Sequence, residues 1–169
     1  MTATERNAWL AADDDALLRA CDLIMQKGTG NGGQKINKTS SAVRLKHRPS
    51  GIAVSANEER SQSRNRHIAL RKLRYEIAWS VHAEPEPSSG FALLPSPSPT
   101  NHARLIPWIA ELFDRLNAAN YDLAETAAQC RVSASQLERA MRKYPAVWRR
   151  YCELRPAKEA GPDHSELKS

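Results

Sequence analysis

The sequence predicts an α+β chain: a small mixed β-sheet domain with a packed helix, then a proline-rich linker, then a small all-α domain. Three observations carry this expectation. Residues 42–56 alternate apolar and polar side chains about a turn, the period of half-buried strands. Leu70, Leu73, Ile77 and Val81 follow at spacings of three and four, the period of a helix with one buried side. Pro85, Pro87, Pro95, Pro97 and Pro99 crowd the stretch from Glu84 to Thr100, and helical spacing resumes beyond it. The expected divisions are a flexible N-terminus over 1–15, the sheet domain over 16–83, the linker over 84–100, the helical domain over 101–155 and a disordered tail over 156–169.

Each element has its own grounds. Residues 1–15 are polar, and Asp13 to Asp15 suit the start of a short helix anchored by Leu17 and Leu18, because acids favour the positive end of the helix dipole. Cys21 to Lys27 reads as a strand entering a glycine-rich loop; Gly28 to Gln34 holds four of the seven glycines. Val43 and Leu45 alternate with Arg44 and Lys46, and Ile52, Val54 and Ala56 repeat the alternation. Arg48-Pro49-Ser50-Gly51 between them has turn chemistry, so a hairpin with one buried and one basic face is expected. Ser61 or Ser63 can cap the following helix, on which Arg64, Arg66, Arg71, Lys72 and Arg74 lie mostly off the apolar stripe. Within the linker, Phe91, Leu93 and Leu94 are apolar enough to dock. Beyond it, helices are expected over Arg104 to Asn117, over Leu123 to Cys130, from a Ser133 or Ser135 cap through Tyr144, and from Pro145 through Tyr151.

Composition narrows the class of function. The 169 residues suit one ordinary domain or two small ones, and 41% hydrophobic residues with 6% aromatics predict an aliphatic core. No apolar run approaches the ~18 residues of a membrane span, and the acidic N-terminal stretch does not resemble a secretory leader. Cys21, Cys130 and Cys152 are odd in number and widely spaced, which fits neither a disulfide framework nor a metal knuckle; a reducing, cytoplasmic setting is expected. Charge is uneven. Gln26 to Glu76 holds 12 Lys+Arg against 3 Asp+Glu, a net of +9, while the remainder holds 13 against 16, a net of −3. Localised excess of this kind points to a polyanion, nucleic acid being the commonest; the alternative is a solvated basic face.

The most specific feature is the stretch Lys27-Gly-Thr-Gly-Asn-Gly-Gly-Gln-Lys-Ile-Asn-Lys-Thr-Ser-Ser-Ala-Val-Arg44. It resembles the glycine-glycine-glutamine (GGQ) loop of class I translation release factors and related ribosome-rescue hydrolases. The resemblance continues through His47-Arg-Pro-Ser-Gly-Ile-Ala-Val54, then Glu59-Arg60-Ser61-Gln62, Asn65 and the basic helix, and covers about residues 16–80. It implies a loop that enters the ribosomal peptidyl-transferase centre and promotes attack of water on the ester joining peptide to transfer RNA. Gly32, Gly33 and Gln34 would then be the catalytic residues. Glycines let the backbone pass where a Cβ would clash. In the family the backbone N–H of Gln34 stabilises charge on the reacting oxygen, while its side chain admits water and excludes larger nucleophiles. Such preorganised donors are worth on the order of 10²–10³ in rate. A phosphate-binding loop is the competing reading, but Gln34-Lys35-Ile36-Asn37 lacks the Gly-Lys-Ser/Thr that opens a helix there.

The same resemblance makes Lys27, Lys35, Asn37, Lys38, Arg44, Arg60, Gln62, Arg64, Asn65 and Arg66 the RNA-facing residues. For Asn37, Thr39 and Ser41 the alternative is turn capping, and for one of Arg60, Arg64 and Arg66 it is salt bridging to Glu58 or Glu59. His47 and His67 lack metal-ligand company, so neither a metal nor another cofactor is expected. Partners implied are the ribosome, its RNA, peptidyl-transfer RNA and a glutamine methyltransferase acting on Gln34, with the chain a monomer. Lys35 stands where many relatives have His. The GGQ domain begins by about residue 16, which leaves no room ahead of it for a stop-codon reader, and a codon-independent hydrolase is expected. Known rescue enzymes of this type carry a strongly basic tail; here residues from Pro156 onward have a net charge of −1, which argues against a tail-sensing mechanism.

The helical domain has its own reading. Leu123-Ala-Glu-Thr-Ala-Ala-Gln-Cys-Arg-Val-Ser-Ala-Ser-Gln-Leu137 resembles a helix-turn-helix. Arg139, Arg142, Lys143, Arg149 and Arg150 would contact RNA on the ribosome; the alternatives are duplex DNA, or a small bundle with a solvated basic side. A ribosome- or DNA-binding regulator without hydrolase activity is the competing function.

Overall fold

The computed structural model describes residues 2–26, 41–85 and 102–156. Two compact units divide the chain: Met1–Pro87 with Ser98–Asp114, and Ser88–Pro97 with Arg115–Ser169. The expected division at residue 100 therefore differs from the contact boundary, which falls inside a helix. The expected linker lies outside the described residues beyond Pro85, as does the expected tail beyond Pro156.

The first unit opens with a helix where loose chain was expected. Helix α1 (Ala3–Ala11) is started by a capping box in which Thr2 and Glu5 each satisfy the other's backbone N–H. Backbone bonding from Thr2 holds the Glu5 carboxyl below its ordinary pKa. Arg6 and Leu10 of α1 are buried, and the composition of residues 1–15 gave no sign that an arginine would be interior. Helix α2 (Asp14–Arg19) is capped by Asp13, whose carboxylate accepts from the Ala16 N–H at 2.6 Å. Leu17 anchors it.

Strands β1 (Cys21–Gln26), β2 (Ala42–His47) and β3 (Ala53–Ala56) form one sheet in the order β1-β2-β3, both pairings antiparallel. The expected mixed sheet is thus corrected to an antiparallel one among the described residues. Each strand pairs with its neighbour in sequence, so no parallel crossover is needed. The β2–β3 turn is closed by His47 N–H to Ile52 O and Gly51 N–H to His47 O, both 2.8 Å. Gly51 has φ +72°, a conformation a side chain disfavours.

Helix α3 (Gln62–Ser80) starts at the Ser61 cap and packs on β2 and β3. Its Ala69, Leu70, Leu73 and Ile77 are buried, as are Val43, Leu45 and Ala56 of the sheet, while Arg44 and Lys46 are exposed. The alternation therefore resolves into an interior and an exposed cationic face. Arg74 ties α3 to α2, donating to Asp14 at 2.7 Å and to the Ala12 carbonyl at 2.7 Å. Partial burial alone would raise the Asp14 pKa, but the bonds from Arg74 and His67 outweigh it and hold the carboxyl low.

Helix α4 (His102–Ala118) continues through Pro107, which forgoes one helical hydrogen bond. Its buried Leu105, Ile106, Trp108, Ile109, Leu112 and Phe113 offset that loss. At Asp114 it meets a polar clasp. Asp114 Oδ1 accepts from Arg6 at 2.5 Å and from the Ala83 N–H at 2.9 Å, while Arg6 also donates to the Val81 carbonyl at 3.0 Å. The two side chains are only 3% and 5% exposed.

The second unit contains α5 (Leu123–Gln129), α6 (Ala134–Arg142) and α7 (Pro145–Leu154). Its interior holds Leu116, Ala127, Leu137, Met141, Val147 and Tyr151. Asp122 caps α5, Ser133 and Gln136 form a capping box on α6, and Pro145 opens α7. Among the described residues no helix is long and apolar enough to cross a membrane.

Two outcomes test this architecture. Arg6→Ala strands Asp114 in the interior and should cost about 3–5 kcal/mol in urea unfolding, whereas Arg6→Met with Asp114→Leu should recover most of it. His47 is fully buried, packs edge-on against Trp9 at 4.9 Å, and has its pKa lowered by burial. The unfolded chain therefore takes up the proton more readily than the folded one. The stability held by the neutral ring should be complete well above the ordinary value of 6.5 and should fall as pH drops through and below it. Melting temperature measured against pH should show that loss, and His47→Gln should flatten it.

Candidate catalytic loop and nucleic-acid interface

Gly32, Gly33 and Gln34 lie outside the described residues, as do Lys27, Lys35, Asn37 and Lys38. What is described is the frame from which their segment departs. Gln26, the last residue of β1, is paired with Ala42, the first of β2. Residues 27–41 therefore leave and return at one end of the sheet, between backbones held about 5 Å apart.

Asn65 fixes that end. Its Nδ2 donates to the Ser41 carbonyl at 2.8 Å and to the Glu59 carbonyl at 2.7 Å, and its Oδ1 accepts from the Glu59 N–H at 2.9 Å. The backbone partners also settle the amide orientation, since an N–H faces one end and two carbonyls face the other. One side chain from the first turns of α3 thus holds the residue just before β2 and the connection that follows β3. Asn65 is fully buried. This corrects the expectation that it faces RNA: its donors are spent on the protein backbone, and its part is to position.

The other expected RNA-facing residues divide by environment. Arg44 is exposed on β2, with Ile24 and Ser55 as its strand partners. Arg60 is exposed between β3 and α3. Neither is ion-paired to a described residue. Arg64 is exposed and lies 3.7 Å from Glu59, a surface pair worth about 0–1 kcal/mol that does not withhold it from a phosphate. Gln62 is half-buried and donates to Met25 Sδ at 2.9 Å. Arg66 is half-buried, its Nε enclosed without a partner among the described residues. Glu58 is engaged by Lys72, whose bond lowers its pKa.

Sequence reasoning passed over two further exposed cations, Lys46 and Arg71, as site residues. The signal was present for Lys46, which shares the outward side of β2 with Arg44 at i+2. Arg71 follows Arg64 and His67 at helical spacing, but an undivided crowd of basic residues on one helix hid which of them face outward. In the second unit Arg139, Lys143 and Arg149 are exposed. Arg142 is paired with Glu138 at 2.7 Å and lies over the Trp148 ring at 4.0 Å, and the half-buried Arg150 is paired with Glu153 at 3.3 Å. Among the described residues no cluster of His, Cys, Asp and Glu could hold a metal ion.

The positional role of Asn65 can be measured directly. Asn65→Ala should lower unfolding free energy by about 1–3 kcal/mol, because the part-buried backbone groups at Ser41 and Glu59 lose their partners. Asn65→Asp should be worse, since it sets an acceptor against two carbonyls. Substitution of the neighbouring exposed Ser63 by Ala should be near neutral in the same urea titration.

Comparison with known proteins identifies the frame. Residues 19–90 match the family model of the RF-1 domain. The chain is 46% identical over 69 residues to peptide chain release factor 1 of Myxococcus xanthus (strain DK1622), which covers 40% of this chain and 19% of the relative. It is 48% identical over 67 residues to peptide chain release factor 1 of Thermotoga maritima, covering 38% and 20%. It is also 46% identical over 61 residues to the Mus musculus protein described as peptide chain release factor 1-like, mitochondrial, covering 36% and 16%. The chain spans about a fifth of the length of the curated relatives it matches. Residues 19–90, which hold β1, β2, β3 and α3, are thus similar to the RF-1 domain of peptide chain release factors.

Proposed function

We propose that this chain releases nascent peptide on the ribosome by promoting hydrolysis of the peptidyl-transfer RNA ester, and that it does so without reading a codon. The observation that carries the hydrolysis is Gly32-Gly33-Gln34 within an RF-1 domain whose relatives are peptide chain release factors. Water attacks the ester carbonyl, the bond to the ribose oxygen of the transfer RNA breaks, and the proton passes to that oxygen. The chain's contribution is positional. Gly32 and Gly33 keep the approach slim, the Gln34 N–H faces the oxygen that gains charge, and the Gln34 side chain selects water over larger nucleophiles. The opposed strand ends at Gln26 and Ala42 and the Asn65 bracket are the base from which that loop reaches. Exposed Arg44, Arg60 and Arg64 supply phosphate contacts along the way.

The codon-independent part is supported by how the segments around the loop are used. Helices α1 and α2 precede β1 and are built into the same unit, one through the Arg6–Asp114 clasp and the other through Asp14 and Arg74. They serve as walls of the loop's own domain. The second unit then carries a helix-turn-helix-like arrangement of α5 and α6 joined by residues 130–133.

The test is peptide release by purified protein from ribosomes carrying labelled peptidyl-transfer RNA, with a stop codon, a sense codon or no codon in the decoding site. Comparable rates on all three are expected, and release confined to stop codons would sink the codon-independent reading. Gly33→Ala should slow release by about 10²-fold or more while co-sedimentation with ribosomes persists. Equal release by Gly33→Ala and the unaltered chain would remove the loop from the mechanism.

A further inference from the structure

The second unit has a surface that the hydrolysis reading does not use. Described residues 115–156 hold eight Lys or Arg, seven of them Arg, against four Asp or Glu. On α6 the apolar side is made of Leu137, Ala140 and Met141, all buried. Ser135, Gln136, Arg139, Arg142 and Lys143 are all exposed, and helical geometry places them in one sector of about 120°. No acid lies in that sector. Glu138 sits at its flank, bonded to Arg142 at 2.7 Å, while the Arg142 guanidinium lies 4.0 Å from the Trp148 ring centre. Arg142 is therefore held in place before any partner arrives, which lowers the entropy lost when its remaining donors meet an anion.

The chemistry of the sector selects among polyanions. Arg and Lys match phosphate, and Ser135 and Gln136 both donate and accept, as a ribose 2′-hydroxyl does. Single strands are usually held by stacking on exposed aromatic rings. In this unit Tyr121, Tyr144 and Trp148 are only part-exposed and Tyr151 is buried. A nine-residue helix with a polar, cationic side fits the wide, shallow minor groove of an RNA duplex, where 2′-hydroxyls and flanking phosphates lie together.

We propose that the exposed sector of α6, formed by Ser135, Gln136, Arg139, Arg142 and Lys143, binds double-stranded RNA through its phosphates and 2′-hydroxyls. The choice of RNA over DNA rests on the reading that the chain works on ribosomes. In this view Arg149 and Arg150, which sequence reasoning grouped with the others, are not part of the contact.

The full chain is titrated with an RNA duplex of mixed sequence, the DNA duplex of the same sequence and the RNA single strand, over a range of stated salt concentrations. Preference for the RNA duplex is expected. Arg139→Ala should reduce the slope of log affinity against log salt by about 1, the signature of one lost phosphate contact. Arg139→Glu with Lys143→Glu should weaken RNA duplex binding about tenfold or more with an unchanged circular dichroism spectrum, and Arg139→Gln gives a milder check on folding. Binding of the DNA duplex as tight as the RNA duplex, or wild-type affinity and salt slope in the charge-reversed chain, would overturn the proposal. Peptide release by the unaltered chain is scored separately. Absence of release with RNA duplex preference intact strikes the hydrolysis reading alone, and release without that preference strikes this surface alone.

Discussion

Everything in the first unit depends on α3 lying flat on the sheet in one register. Apolar burial supplies the attraction: Val43, Leu45 and Ala56 from the sheet and Ala69, Leu70, Leu73 and Ile77 from the helix are removed from water. Burial is non-directional, however, and would tolerate small slides along the sheet. Asn65 is directional. Its three bonds to the Ser41 and Glu59 backbone are satisfied only when the helix start stands opposite the end of the sheet where residues 27–41 depart.

That division between attraction and direction recurs. Helix α1 contributes Leu10 to the interior, but Arg6 decides where it sits, through Asp114 and the Val81 carbonyl. Helix α2 contributes Leu17, but Asp14 and Arg74 fix its place on α3. Polar groups buried or half-buried in this way are costly to leave unpaired, so each contact discriminates strongly against alternatives. The result is a well-fixed base at the end of the sheet from which residues 27–41 depart.

Cations are used in two ways. Arg6, Arg74 and Arg48 are structural: Arg48 donates to the Cys21 carbonyl and to Asp22, both at 3.0 Å, and also reaches the Arg19 carbonyl. Arg44, Lys46, Arg60 and Arg71 face outward and make no ion pair with a described residue. Net charge does not separate these roles, although it is what first directs attention to nucleic acid. In the second unit Arg139, Arg142 and Lys143 lie exposed on one side of α6, while the half-buried Arg150 is engaged beside Glu153.

The sequence by itself determined the local elements and the resemblance to the RF-1 domain. Period-two and helical spacings, the Ser61, Ser133 and Asp13 caps, the Pro49-Ser50-Gly51 turn and Pro145 all act over a few residues, so they are legible without knowing what lies across the fold. The GGQ stretch is legible for the same reason, since its residue types and spacing are contiguous. Only the tertiary structure decided that the sheet is antiparallel, that residues 3–11 are a helix with a buried arginine, and that Asn65 faces inward. Those outcomes depend on partners far away in sequence. Arg6 is interior because Asp114 is there to receive it, and Asn65 is positional because the Ser41 and Glu59 backbones converge on it. A pairing across a hundred residues leaves no periodic trace, which is why an arginine and an asparagine that read as surface residues proved to be the pins of the fold.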